Sequence, residues 1–285
     1  HTRYWRDWSS DVCSSDLFMA YNKPRDFTTK MIDAGQSKVF MSSKNTLIKS
    51  YMAGAILALA AVFAITISIT TGSALLGASF FPIGFILLYL MGFDLLTGVF
   101  VLIPLALMDG RKGVTLNSLS KNWSLVFLGN LLGSLTIAIV ISFIFTYGYQ
   151  TDPGIVGNKI ALIGEARTIG YSEYGIAGWI TIFLRGMLCG WMVSIGIVGS
   201  VIATSAVGKI TVMWMPIMLF FFMGFEHSIV NMFLFPFSMI MGGNFTISDY
   251  LLWNEIPTIL GNLAGGLVFT ALTLYSTYDK DEKEA

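Results

Sequence analysis

Gly224-Phe225-Glu226-His227-Ser228-Ile229-Val230-Asn231 decides how this chain is read. Apolar residues flank it, from Val212 to Met223 on one side and from Met232 to Met241 on the other. Glu226 and His227 therefore lie near the middle of a stretch long enough to cross a bilayer, which takes roughly 20 residues. An ionisable group at that depth costs ~2.5–3.5 kcal/mol on insertion scales, and is tolerated where it faces a partner or a water-lined path. Apart from His1, His227 is the chain's one histidine. An imidazole titrates near neutral pH and can hand a proton to a passing solute. The plainer alternative is a histidine merely hydrogen-bonded inside a helix bundle. Its depth, the neighbouring acid and Gly224 favour a working group.

The surrounding composition sets the class. Of 285 residues, 55% are hydrophobic and 12% charged. A soluble domain carries about 25% charged residues, so the composition points to an all-α integral membrane protein. The net charge of zero gives no footprint for a nucleic-acid partner. Cys13 and Cys189 do not form a disulfide framework, and Cys189 in its apolar run reads as a small core residue. Residues 1–18 lack periodicity and resemble translated adapter sequence, a non-native leader ahead of Met19. Residues 19–48 form a polar, basic N-terminal segment, in which Phe27 to Phe40 fits a helix lying on the membrane surface.

Six apolar segments follow within a pore domain over 49–278, with a short tail at 279–285. They run from Ile48 to Thr71, Ser79 to Met108, Trp123 to Tyr147, Ile176 to Ala206, Ile210 to Met241 and Ile256 to Tyr278. Lys and Arg favour cytoplasmic connections. The basic N-terminal segment, Arg111, Lys112 and Lys121, Lys209, and the tail lysines all fall on one side of a six-span chain. Both termini are therefore expected in the cytoplasm. Gly148 to Gly175 takes no assignment.

An internal repeat underlies the spans. Met91-Gly92-Phe93-Asp94 returns as Met223-Gly224-Phe225-Glu226, an offset of 224 − 92 = 132. Leu128-Gly129-Asn130-Leu131 returns as Leu260-Gly261-Asn262-Leu263, again at 261 − 129 = 132. Pro104 pairs with Pro236, and Gly54 with Gly186, at the same offset. Each half holds three spans, so the halves insert in opposite directions. That is the inverted-repeat plan of transporters, whose site lies where broken helices meet at the midplane. The second span breaks at Gly92-Phe93-Asp94-Leu95-Leu96-Thr97-Gly98, and the fifth at the stretch quoted first. Unwound backbone survives at this depth only when buried in protein or lining a cavity. A histidine from one half and a hydroxyl from the other then make one polar spot in an apolar tube. Asp94 and Glu226 match in position, as do Asn130 and Asn262. These four are expected to be scaffold, each acid pinned by the amide of its own half, directly or through a freed backbone N–H.

Asp94-Leu95-Leu96-Thr97-Gly98, the Glu226-His227-Ser228 stretch and the two Gly-Asn pairs resemble the formate–nitrite transporter family over about Lys49 to Tyr278. The resemblance implies an aquaporin-like fold, a homopentamer in the prokaryotic cytoplasmic membrane with one pore per protomer, and passage of small monovalent anions. By position it implies Phe81 and Phe220 as outer constrictions, Phe85, Leu95 and Leu96 as inner ones, and Thr97 as the hydroxyl facing His227. The chain departs from the family pattern at Phe93, Leu96, Gly190 and Ser194.

These residues suit a channel or transporter for formate, nitrite or a similar weak-acid anion, coupled to protons through His227. A bare anion loses its hydration in a greasy constriction, and a neutral acid loses far less. No cofactor or metal is expected, and one histidine without a metal-ligand cluster argues against an enzyme. Membrane lipid, the small anion and protons are the expected partners. The competing reading is an aquaporin-like neutral-solute channel, although paired Asn-Pro-Ala caps are missing. Arg185 admits two readings: an anion-attracting charge in a vestibule, or an arginine that snorkels or pairs at a protomer contact. Trp123 and Trp253 stand at span starts, as interface anchors do.

Overall fold

A computed structural model describes residues 21–278, and its regular elements are helices. The leader and the tail expected at 1–18 and 279–285 lie outside the described residues. In chain order the helices are α1 (Pro24–Phe40), α2 (Ser43–Thr71), α3 (Ala74–Leu90), α4 (Leu96–Met108), α5 (Leu116–Phe145), α6 (Gly154–Ala166), α7 (Ile169–Ser172), α8 (Gly175–Ile202), α9 (Ala206–Phe222), α10 (Ser228–Ile240) and α11 (Ile247–Thr277). Helices α2, α5, α8 and α11 are long and apolar enough to cross a membrane. The shorter pairs α3/α4 and α9/α10 are apolar too, each pair interrupted between its members. Within α11 the winding loosens to π geometry at Leu251–Glu255 and Leu267–Leu272.

The most extensive helix contacts join α2 to α5, and α8 to α11. Both pairs close on small residues four apart, Gly129 with Gly133 and Gly261 with Gly265. A Cβ at any of these would run into the facing backbone. Association inside a bilayer relies on close backbone approach because lipid is as apolar as the side chains.

The two halves match in detail, with one shift in register. Asn130 donates to the carbonyl of Ser50, and Asn262 to that of Gly186, an offset of 186 − 50 = 136. Likewise Gly54 faces the Asn130 carbonyl where Gly190 faces that of Asn262. The structural partner of Gly54 is thus Gly190, not Gly186. Relative to α2, α8 is displaced by four residues, close to one helical turn of 3.6, so the same face still meets the partner helix.

Two further expectations change, and the unassigned connection takes shape. Helix α1 does not present its apolar side to lipid: Phe27, Met31, Ile32 and Gly35 are buried, and Gly35 abuts the Leu102 carbonyl of α4. The 148–175 connection folds into α6 and α7, with α6 against α10 where Ser238 Oγ donates to the Ala161 carbonyl. Trp123 turns into the bundle, its indole N–H donating to the Val99 carbonyl at 3.2 Å.

Candidate functional site

Both breaks are built alike. At the end of α3, Gly92 takes φ +69, its N–H bonds to the Tyr89 carbonyl, and the Phe93 N–H reaches back to Leu88. At the end of α9, Gly224 takes φ +63, its N–H bonds to Phe221, and Phe225 reaches back to Phe220. A left-handed residue closing a helix this way suits glycine, which has no Cβ to strain.

Two asparagines then replace the missing backbone partners. Asn130 accepts from the Leu96 N–H at 2.9 Å and donates to the Asp94 carbonyl at 2.9 Å. Asn262 accepts from the Ser228 N–H at 2.9 Å and donates to the Glu226 carbonyl at 2.9 Å. Each amide thus satisfies the first turn of a restarting helix and the last free carbonyl before it, groups that lipid could not serve.

Asn130 and Asn262 do not hold the carboxylates of Asp94 and Glu226, contrary to the sequence expectation. Asp94 Oδ1 pairs with Lys38 Nζ of α1. Glu226 Oε2 accepts from Asn231 Nδ2 at 3.0 Å and Asn254 Nδ2 at 3.4 Å, and faces Arg167 Nη1 at 3.6 Å. Behind this cluster the buried Glu255 accepts from Ser228 Oγ at 2.5 Å and Tyr250 Oη at 2.9 Å. Lys38, Arg167, Asn254 and Glu255 were not picked out from the sequence. Buried acids at Asp94 and Glu226 demanded cations, but only the fold shows which ones reach them.

His227 and Thr97 meet between the breaks. His227 Nδ1 accepts the Val230 N–H at 3.2 Å and so caps α10. That bond assigns the ring proton to Nε2, which faces Thr97 Oγ1 at 3.3 Å. A fixed imidazolium would have to give up the cap. The ring therefore serves as a neutral donor at Nε2, aimed at the hydroxyl of the other half.

Aromatic rings cover this pair on one side. Phe220 lies near-parallel to the imidazole with centroids 5.6 Å apart, and Phe81 meets Phe220 edge-on at 5.6 Å and stacks on Phe221 at 4.0 Å. Beyond them opens a cavity of about 760 Å³ lined by Phe220, His227, Asn231, Lys159 and Arg167, among others. On the other side a pocket of about 160 Å³ is lined by Leu95, Tyr89, Asp94, Gly98 and Lys38, among others. Phe85 is buried and packs on Tyr89 at 4.5 Å. Leu96 is also buried but lines a separate apolar groove with Phe100, Trp123 and Phe127. Arg185 lines neither cavity: Nη1 donates to the Tyr171 hydroxyl, and its guanidinium lies 5.8 Å over that ring. Burial raises the Tyr171 phenol above its ordinary pKa, which keeps that hydroxyl protonated beside Arg185. The cations facing the large cavity are Arg167 and Lys159.

An all-helical bundle with apolar, membrane-length helices and a narrow polar waist between two cavities is built as a membrane channel or transporter is. The chain belongs to the formate/nitrite transporter family, whose model matches residues 25–276. It is 31% identical to the uncharacterized transporter YrhG of Bacillus subtilis (strain 168), over 93% of this chain and 97% of that one. It is 29% identical to the formate channel BtFdhC of Bacillus thuringiensis, over 92% of this chain and 98% of that one. Its fold is similar to that of a pentameric formate channel solved with formate bound, at a TM-score of 0.68 and 23% identity, covering 84% of this chain and 98% of that chain.

Proposed function

We propose that the protein passes small monovalent weak-acid anions, formate or nitrite foremost, across the cytoplasmic membrane of a prokaryote together with a proton. The observation that carries this reading is the contact between Thr97 Oγ1 and His227 Nε2, set between buried aromatic rings and the inner pocket. The family membership and the formate-channel relatives support the substrate class. Each broken pair, α3/α4 and α9/α10, makes one crossing, so six spans form two inverted halves with both termini inside. The duplicated hydrogen bonds of Asn130 and Asn262 support that plan. The assembly is a homopentamer, as in the fold relative with formate bound.

The geometry divides the work. Arg167 and Lys159 draw the anion into the large cavity, since a charged rim raises the local concentration of its counter-ion. There the His227 Nε2–H holds one oxygen of the anion. A proton relayed from cavity water at this point makes a neutral acid, which slips past Phe85 and Leu95 far more cheaply than an ion. Thr97 supplies a second hydrogen-bonding oxygen for the acid on the far side.

Purified protein in liposomes containing a pH dye tests this reading. Formate and nitrite uptake should acidify the lumen, and glycerol should not enter. His227→Asn should abolish proton coupling; acidification at the parent rate in that variant would remove His227 from the proton route.

A further inference from the structure

Asp94 and Tyr89 both line the inner pocket, and each carries a polar atom without a hydrogen-bond partner among the described residues. Asp94 is 2% exposed, and while its Oδ1 pairs with Lys38, its Oδ2 has no hydrogen-bond partner. Across the same pocket, the Tyr89 hydroxyl makes no hydrogen bond among the described residues. Its ring is fixed on Phe85, and its oxygen lies so close over Gly98 that a Cβ there would strike it. Gly98 thus makes room for this hydroxyl. A half-buried tyrosine usually finds a partner for its O–H, and a buried carboxylate oxygen does so too. One is a donor and the other an acceptor.

We propose that Tyr89 and Asp94 form an inner station that binds the neutral acid form of a small monocarboxylate on its way to the cytoplasm. The Tyr89 hydroxyl donates to the acid's carbonyl oxygen, and Asp94 Oδ2 accepts from its O–H. A bare carboxylate fits this pair poorly, because its second oxygen would face Asp94 with no hydrogen between them. The pocket of about 160 Å³ has room for a small acid. The inference rests on the proton-coupled reading above, and makes Asp94 a substrate-binding group as well as part of the break.

Initial formate uptake by the full-length protein in liposomes tests it. Tyr89→Phe keeps the ring and removes only the donor. Its formate KM should rise about fivefold, the worth of one lost neutral hydrogen bond, with thermal stability unchanged. A Tyr89→Phe protein whose KM stays within about twofold of the parent overturns the station while leaving the transport reading standing. A parent protein that takes up no formate overturns the transport reading itself, and the station with it.

Discussion

Asn130→Ala and Asn262→Ala provide the sharpest test of how the breaks are held. Each asparagine makes three hydrogen bonds of matching length, at 2.9, 2.9 and 2.8 Å. Two of the three partners lie outside regular helix bonding: the N–H of Leu96 or Ser228, and the carbonyl of Asp94 or Glu226. Leaving a buried group of this kind unsatisfied costs roughly 1–3 kcal/mol. The third partner, the carbonyl of Ser50 or Gly186, keeps its own helical bond, so its loss costs about 0.5 kcal/mol or little more. The total is about 4 kcal/mol for either variant, and a fall in Tm of roughly 10 °C for a chain of this size. Thr97 directly follows Leu96, and His227 directly precedes Ser228, so uptake should fall along with stability. Thermal unfolding in detergent, followed by fluorescence, reads the first quantity, and liposome uptake reads the second. Either variant holding within ~3 °C of the parent, or the two differing by more than twofold in cost, would refute the claim that these amides do equivalent backbone work.

Other consequences can be measured in the same preparations. Arg167→Ala leaves Glu226 buried without its cation and should cost about 3–5 kcal/mol; Arg167→Ala with Glu226→Gln should recover part of that loss, and strict additivity of the two changes would deny their coupling. Gly92→Ala and Gly224→Ala each force a Cβ into the left-handed region and should cost about 1–2 kcal/mol apiece in thermal unfolding; a neutral result at either would contradict the closure of α3 or α9. Formate titrates as a carboxylic acid near pH ~4. Below saturation, coupled uptake should therefore fall by up to about tenfold per pH unit as external pH rises from 5 to 8, while His227→Asn should lose this slope. A flat parent profile would exclude coupling.

Much of the site was open to sequence reasoning because it depends on short-range chemistry. The buried acids, His227 and the paired Gly-Asn motifs stand out against apolar runs, and the family resemblance pointed to Thr97 as the hydroxyl facing His227. The partners of the carboxylates were not visible in this way. Arg167 lies 226 − 167 = 59 residues before Glu226, and Lys38 lies 94 − 38 = 56 residues before Asp94. Nothing local distinguishes either from the other cations of a polar connection. The pairing of Gly54 with Gly186 misled for a related reason. A chance glycine match at the common offset hid a one-turn shift that only helix packing exposes.

By itself, the sequence determined where the chain is apolar, where glycine lets a helix stop, and which ionisable groups lie too deep to be free. These are properties of windows of a few residues, set by side-chain transfer energies and backbone sterics. Tertiary structure alone decided which cation answers each acid, which arginine faces the large cavity, which nitrogen of His227 is left to donate, and that Leu96 points away from the inner pocket. Those outcomes depend on the relative placement of helices far apart in the chain, where a shift of one turn exchanges one partner for another.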